Sequence, residues 1–389
     1  MKKSIVLLYV ALISMTINAQ ENLDFSAKKE IVSPEINPDN SVTFRLLAPE
    51  AKKVQVQSDF LPSKGWEQGK ADLIKDPNGI WIYTTDKLKS ELYSYTFVVD
   101  GIKVHDPNNV YLIRDVASVV NVFLIGNGQA DVYKIKDVPH GTVSKRWYES
   151  SGLKTTRRMT VYTPAGYENS KEKYPVLYLL HGVGGDEEAW MSLGRMSQIM
   201  DNLIAEKKAK PMIVVATNGH TSNTAAPGES SKGYYKPIMM TPDVFDGAME
   251  KNFGEVIQFV EDNYRVKKDK ANRAIAGLSM GGFHSLWISA NYPNTFDYVG
   301  LFSPAIMPPN NSTSDIYQNL DSKLEVQKKN KYKLYWIAIG KSDFLYKNVS
   351  DFREKMDKID FKYNYTESEG GHTWANWRVY LSEFTPLLF

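Results

Sequence analysis

The chain has 389 residues, long enough for two domains that each bury a core. It carries 47 basic and 45 acidic residues and no cysteine. Nucleic-acid binding is therefore set aside, because neither this balance nor any local run supplies the basic surface that neutralises phosphates, and no disulfide can staple the fold.

Lys2 and Lys3 precede an apolar run from Ile5 to Ile13, and Ile17-Asn18-Ala19 ends on a small residue before Gln20. This pattern predicts a cleaved export signal over residues 1–19, too short and too poorly flanked for a membrane anchor. A buried N-terminal helix is the competing reading. Cleavage removes Lys2 and Lys3 and leaves 45 basic against 45 acidic residues. With no cysteine near the cut to take a lipid, the expected protein is periplasmic or secreted and unanchored. Its oligomeric state is not legible.

Residues 22–125 read as short strands with period-two alternation: Val42, Phe44 and Leu46, then Val54 and Val56, then Tyr93, Tyr95, Phe97 and Val99. Asp100-Gly101 is a hairpin signal, since a tight turn needs positive φ. No amphipathic helix interrupts this region, so a small all-β, immunoglobulin-like sandwich is predicted. Residues 126–141, headed by Gly126-Asn127-Gly128-Gln129, read as a linker.

From residue 142 to 389 the grammar changes. Val176 to Leu180, Met212 to Ala216, Ala274 to Ala276 and Leu334 to Ile339 are near-continuous apolar runs, as expected of strands covered on both faces. Helical patterns lie between them, clearest at Phe253, Val256, Ile257 and Val260. Such alternation predicts an α/β fold with a doubly wound, mostly parallel sheet.

Gly277-Leu278-Ser279-Met280-Gly281-Gly282 follows one of these apolar strands and precedes a helical stretch from Phe283 to Ala290. That is the setting of a nucleophile elbow, a strained strand-to-helix turn that lifts a serine hydroxyl out at the sheet's C-terminal edge. The competing reading is a helix-capping serine. A serine needs a histidine base, and the histidine a carboxylate to hold its tautomer, in the chain order serine, acid, histidine. Of the six histidines, His105, His140, His181 and His220 precede the serine and His284 sits on the helix after it, which leaves His372. Asp343 follows the strand Leu334 to Ile339 through Gly340-Lys341-Ser342 and so falls at the serine's edge of the sheet. Asp297 and Asp351 compete for that role, each more easily read as a cap. His181-Gly182-Val183-Gly184-Gly185 follows the first buried strand of this region, where the backbone N–H groups of Val183 and Met280 would meet a tetrahedral oxyanion. A plain turn is the alternative for that loop, and His181 is read as a residue that fixes it.

Tyr178 to Gly185, Asp201-Asn202-Leu203-Ile204-Ala205, Gly277 to Gly282 and Gly371-His372-Thr373-Trp374-Ala375-Asn376-Trp377-Arg378 together resemble the feruloyl-esterase and esterase-D type of α/β-hydrolase. Enterochelin esterases and mycolyltransferases are related to the same group. The resemblance runs from about Trp147 to Phe389 and implies the same triad and oxyanion donors, with no metal and no organic cofactor. Residues 39–56 and 93–107 resemble the early-set sandwich found beside glycogen-acting enzymes and before some bacterial feruloyl esterases.

The resemblance implies a serine esterase for hydroxycinnamoyl esters on a feruloylated oligosaccharide or polysaccharide such as arabinoxylan. A siderophore trilactone esterase, an acetyl-xylan esterase and a non-catalytic glycan-binding protein are the alternatives. Trp190, Tyr235, Trp374 and Trp377 are candidate walls of an acyl pocket, and the loop from Gly219 to Phe245 belongs at its rim. Trp66 and Trp81 are candidate sugar platforms in the sandwich, though Trp81, alternating with Ile80 and Ile82, is better read as core.

Overall fold

A computed structural model describes residues 31–63, 67–231, 236–309 and 312–389. The predicted export signal, Trp66 and Tyr235 lie outside these residues. Among the described residues no helix is long and apolar enough to cross a membrane.

The first part is a pair of antiparallel sheets. One runs β1 (Glu35–Ile36), β2 (Val42–Leu47), β6 (Ile80–Thr84) and β5 (Ile74–Lys75). The other runs β4 (Gly69–Asp72), β3 (Val54–Ser58), β7 (Glu91–Val99), β10 (Ser118–Ile125) and β9 (Leu112–Asp115), with β8 (Ile102–Val104) paired to β7. Period-two alternation sends Val42, Phe44, Val54, Val56, Tyr95 and Phe97 into the space between the sheets, where each is fully buried. Each such side chain contributes about 1.5–3 kcal/mol. Trp81 belongs to this core and donates its indole N–H to the Ala48 carbonyl at 2.8 Å. Asp100 and Gly101 take φ of 47° and 90° between β7 and β8, the positive values that the hairpin requires.

Residues 126–141 are not a free tether. Ala130 and Tyr133 are fully buried, and Asn202 on a helix of the following domain donates to the carbonyls of Val132 and Lys134.

The second part holds an eight-stranded sheet in the order β11 (Thr142–Ser150), β12 (Thr155–Thr163), β14 (Ile213–Thr217), β13 (Val176–Leu180), β15 (Arg273–Leu278), β16 (Tyr298–Phe302), β17 (Leu334–Gly340), β18 (Asn364–Ser368). Strands β14 to β18 run parallel, while β11 and β12 form an antiparallel edge. Helices α3 (Ala248–Asn263), α4 (Met280–Asn291), α5 (Leu320–Lys329) and α6 (Tyr346–Lys358) pack on one face; α1 (Ala189–Ser192), α2 (Met196–Ala205) and α7 (Trp374–Phe384) pack on the other. The predicted helix around Phe253 is α3, with Phe253, Val256 and Val260 buried. An α/β-hydrolase sheet preceded by an all-β sandwich is thus the architecture, and both faces of its parallel strands are covered as their unbroken apolar runs demand.

Candidate active site

Ser279 stands between β15 and α4 with φ 53° and ψ −113°, a conformation costly for a residue with a side chain. Its surroundings impose it. The Ser279 N–H donates to the Phe302 carbonyl of β16 at 2.9 Å, and its own carbonyl accepts from Phe283 and Ala305. Gly281 lets α4 close on β13, because a Cβ there would sit 2.3 Å from the Leu180 carbonyl oxygen. The serine is 7% exposed.

Asp343 lies just past β17. Its backbone N–H donates to the Gly340 carbonyl, and its Oδ1 accepts the Leu345 N–H at 2.9 Å. The Ser342 N–H donates to the Gly370 carbonyl, which ties the aspartate loop to the loop after β18. That loop delivers His372, whose Nδ1 lies 2.9 Å and 3.1 Å from the two Asp343 carboxylate oxygens. With an ionised carboxylate as acceptor, Nδ1 carries the proton and Nε2 is the free base. Ser279, Asp343 and His372 all follow C-terminal ends of parallel strands, so they share one edge of the sheet. No hydrogen bond joins His372 to Ser279 among the described residues. The other acids stand elsewhere: Asp297 precedes β16 at the opposite edge and pairs with Lys270, and Asp351 pairs with Lys347 on α6.

The loop after β13 is a tight turn closed by the Gly185 N–H on the Gly182 carbonyl at 3.1 Å, with Gly184 at φ +73°. It lies against the elbow, since a Cβ on Gly182 would be 3.3 Å from Ser279 Cβ. His181 fixes the loop from beneath: its Nδ1 donates to the Gly182 carbonyl at 2.7 Å and its Nε2 accepts the Gly219 N–H at 2.7 Å. Burial pushes its pKa down to about 4, so the ring is neutral and this tautomer persists near neutral pH. Met280 opens α4 and is 1% exposed; an N–H in the first turn of a helix has no partner within the helix. Val183 and Met280 therefore stand on the two segments that flank Ser279.

The aromatic residues part company. Trp190 is fully buried with its N–H on the Leu180 carbonyl, so it packs beneath the site and forms no pocket wall. It was a candidate pocket wall from the sequence, but the helix turn holding it faces the sheet. Trp374 lies edge-on to both Trp190 and Trp377, with centroids 5.3 Å and 5.2 Å away, and is half-buried. Trp377 meets the His372 ring edge-on at 4.9 Å but is buried in the core, so it backs that ring and is no open pocket wall. Phe344 was not singled out from the sequence, yet it lies 4.5 Å from the His372 ring and is 59% exposed; its position next to Asp343 was the available signal. Between the Gly184 turn and the segment after β14 is a cavity of about 180 Å³ lined by Asp186, Asn218, His220, Asn223, Lys236 and Thr241 among others. Among the described residues no group of three or more His, Asp or Glu side chains is arranged to hold a metal ion.

Residues 150–388 match the model of the family described as "Putative esterase". The chain belongs to this esterase family. Residues 32–112 match carbohydrate-binding module 48, the isoamylase N-terminal domain. An endo-1,4-beta-xylanase/feruloyl esterase of Xylanibacter ruminicola is 31% identical over 364 residues, which is 92% of this chain and 46% of that protein. The chain thus spans less than half the length of this curated relative. A ferulic acid esterase from the anaerobic fungus Anaeromyces mucronatus, solved with ferulic acid, superposes with a TM-score of 0.53 at 26% identity, covering 66% of this chain and 93% of the other. The enterobactin esterase of Shigella flexneri shares the fold over 88% of this chain and 92% of its own, with a TM-score of 0.59 at 15% identity.

Proposed function

We propose that this member of the esterase family is an exported serine esterase that cleaves hydroxycinnamoyl esters, such as ferulate, from plant cell-wall polysaccharide. The Ser279 hydroxyl attacks the ester carbonyl carbon while His372 Nε2 takes its proton. Asp343 holds the opposite ring nitrogen and stabilises the imidazolium that forms. The N–H groups of Val183 and Met280 receive the oxyanion. Collapse of the tetrahedral intermediate leaves Ser279 acylated and expels the sugar alkoxide, which takes from His372 the proton that Ser279 gave up. Water activated by the same base then attacks the acyl-enzyme and releases the acid.

The observation that carries the choice of acyl group is the aromatic surface beside His372, offered by exposed Phe344 and half-buried Trp374, with buried Trp377 packed behind the His372 ring. A flat phenolic ring stacks on such surfaces, whereas an acetyl group has nothing to offer them. The ferulic acid esterases among the relatives support the same reading. The cavity beside Gly184, where amides, a hydroxyl and charged groups stand beside Ala225, Pro227, Pro237 and Ile238, offers both hydrogen bonds and an apolar face to the sugar of the leaving alcohol.

A panel of methyl ferulate, feruloylated arabinoxylan, an acetylated xylan and a catecholate trilactone tests this. Preferred release of ferulate is expected. Brisk cleavage of another ester with none of ferulate overturns the acyl assignment, and loss of no activity in Ser279→Ala overturns the nucleophile.

A further inference from the structure

The sandwich does more than sit beside the catalytic domain. Its β9–β10 hairpin turns at Val116 and Ala117, and Val116 takes φ 51°. Two-residue hairpins ordinarily put glycine or asparagine at such a φ; a β-branched residue there is strained and persists only where its surroundings demand it. The surroundings are the Gly184 turn. A Cβ on Gly184 would lie 2.7 Å and 3.0 Å from the two Val116 methyls, so they rest on the glycine backbone. From the same hairpin, Arg114 Nη2 lies 2.5 Å from Asp186 Oδ2, at the end of the turn, while its Nη1 holds the Val116 carbonyl at 3.2 Å. Asp186 in turn accepts the Glu188 N–H and is 4% exposed.

A second grip reaches the histidine side of the site. Glu91 of β7 accepts from Arg378 Nη2 at 2.8 Å and from the Tyr133 hydroxyl at 2.6 Å. Arg378 follows Trp377, the residue edge-on to His372.

A turn built of glycines around a single valine has little stiffness of its own, and a donor displaced by an ångström loses most of its effect on a developing charge. We propose that Arg114 and Val116 of the sandwich are positioning residues for the oxyanion loop, holding the Val183 N–H where the tetrahedral oxyanion forms. This rests on the serine-esterase reading above. The sandwich then acts on every ester the site cleaves, including small soluble ones that a glycan-targeting module would leave unaffected.

The test uses the full chain with 4-nitrophenyl acetate, comparing Val116→Gly, Arg114→Ala and Arg114→Lys with wild type. Glycine adopts the Val116 backbone without strain, so the expected result for Val116→Gly is a melting temperature within about 2 °C of wild type with kcat lowered about tenfold or more and KM within about twofold. Arg114→Ala shows the same split, and Arg114→Lys, which keeps the charge opposite Asp186, recovers part of kcat. A boronic acid that forms a tetrahedral adduct on Ser279 binds the Val116→Gly and Arg114→Ala proteins more weakly in proportion to the loss of kcat. Wild-type kcat in both variants overturns the proposal alone, as does a loss of kcat that follows loss of folded protein. Absence of any turnover by the folded wild type overturns the esterase reading and this proposal with it.

Discussion

His372 presents Nδ1 to both carboxylate oxygens of Asp343, at 2.9 Å and 3.1 Å, and the Asp343 side chain has no exposed surface. Water does not compete for that carboxylate, so the pair fixes the ring's orientation and tautomer. Asp343→Asn keeps the shape but presents an amide that favours the wrong tautomer. Its kcat is expected to fall by about 10⁴-fold with KM nearly unchanged, measured on methyl ferulate. A fall of only a few-fold removes Asp343 from the catalytic set.

Gly281 is required by space. In Gly281→Ala the new methyl meets the Leu180 carbonyl at 2.3 Å, and backbone offers no rotamer with which to yield. Helix α4 must move off β13, at a cost of about 1–3 kcal/mol, and with it the Met280 N–H. Thermal unfolding and kcat should both drop; an unchanged melting temperature contradicts the close approach.

In the proposed function, Phe344 and Trp374 recognise the acyl group. Replacing either with alanine removes aromatic surface near His372 and should raise KM for methyl ferulate about three- to tenfold, with 4-nitrophenyl acetate little affected. Equal losses on both esters argue for packing in place of acyl recognition.

Acid should weaken the fold through the histidines behind the site. Burial holds His181 down to about 4 and His220 down to about 3, against an ordinary value of 6.5. Both are neutral in the folded protein and take protons near 6.5 when unfolded, so the unfolded chain binds more protons between those values. Stability from this source is complete above pH 6.5 and falls as pH drops towards 4 and 3, by on the order of a few kcal/mol per histidine. Melting temperature against pH measures it, and His220→Asn should show a shallower slope between pH 6.5 and 3 than wild type. An identical slope removes His220 as a contributor.

The buried strands β13, β14, β15 and β17 were legible to within a residue or two because an unbroken apolar run bounded by polar residues is a local signal. The elbow was legible for a similar reason: the strand, the glycines and the helix needed to recognise it lie within about twenty residues. Trp190 went the other way, since its burial depends on which side of a short helix turn meets the sheet.

What the sequence by itself determined, then, is the set of local conformations, the class of the sheet and the order in which a serine, an acid and a histidine arrive at its edge. Only the tertiary structure decided which groups touch. Asp343 and His372 meet because parallel strands deliver both loops to one edge, where Ser342 holds Gly370. Arg114 finds Asp186 across 72 residues, and Glu91 finds Arg378 across 287. Such contacts leave no periodicity to read, because they arise from two separately folded surfaces packing together, and their energy exists only once both surfaces are in place.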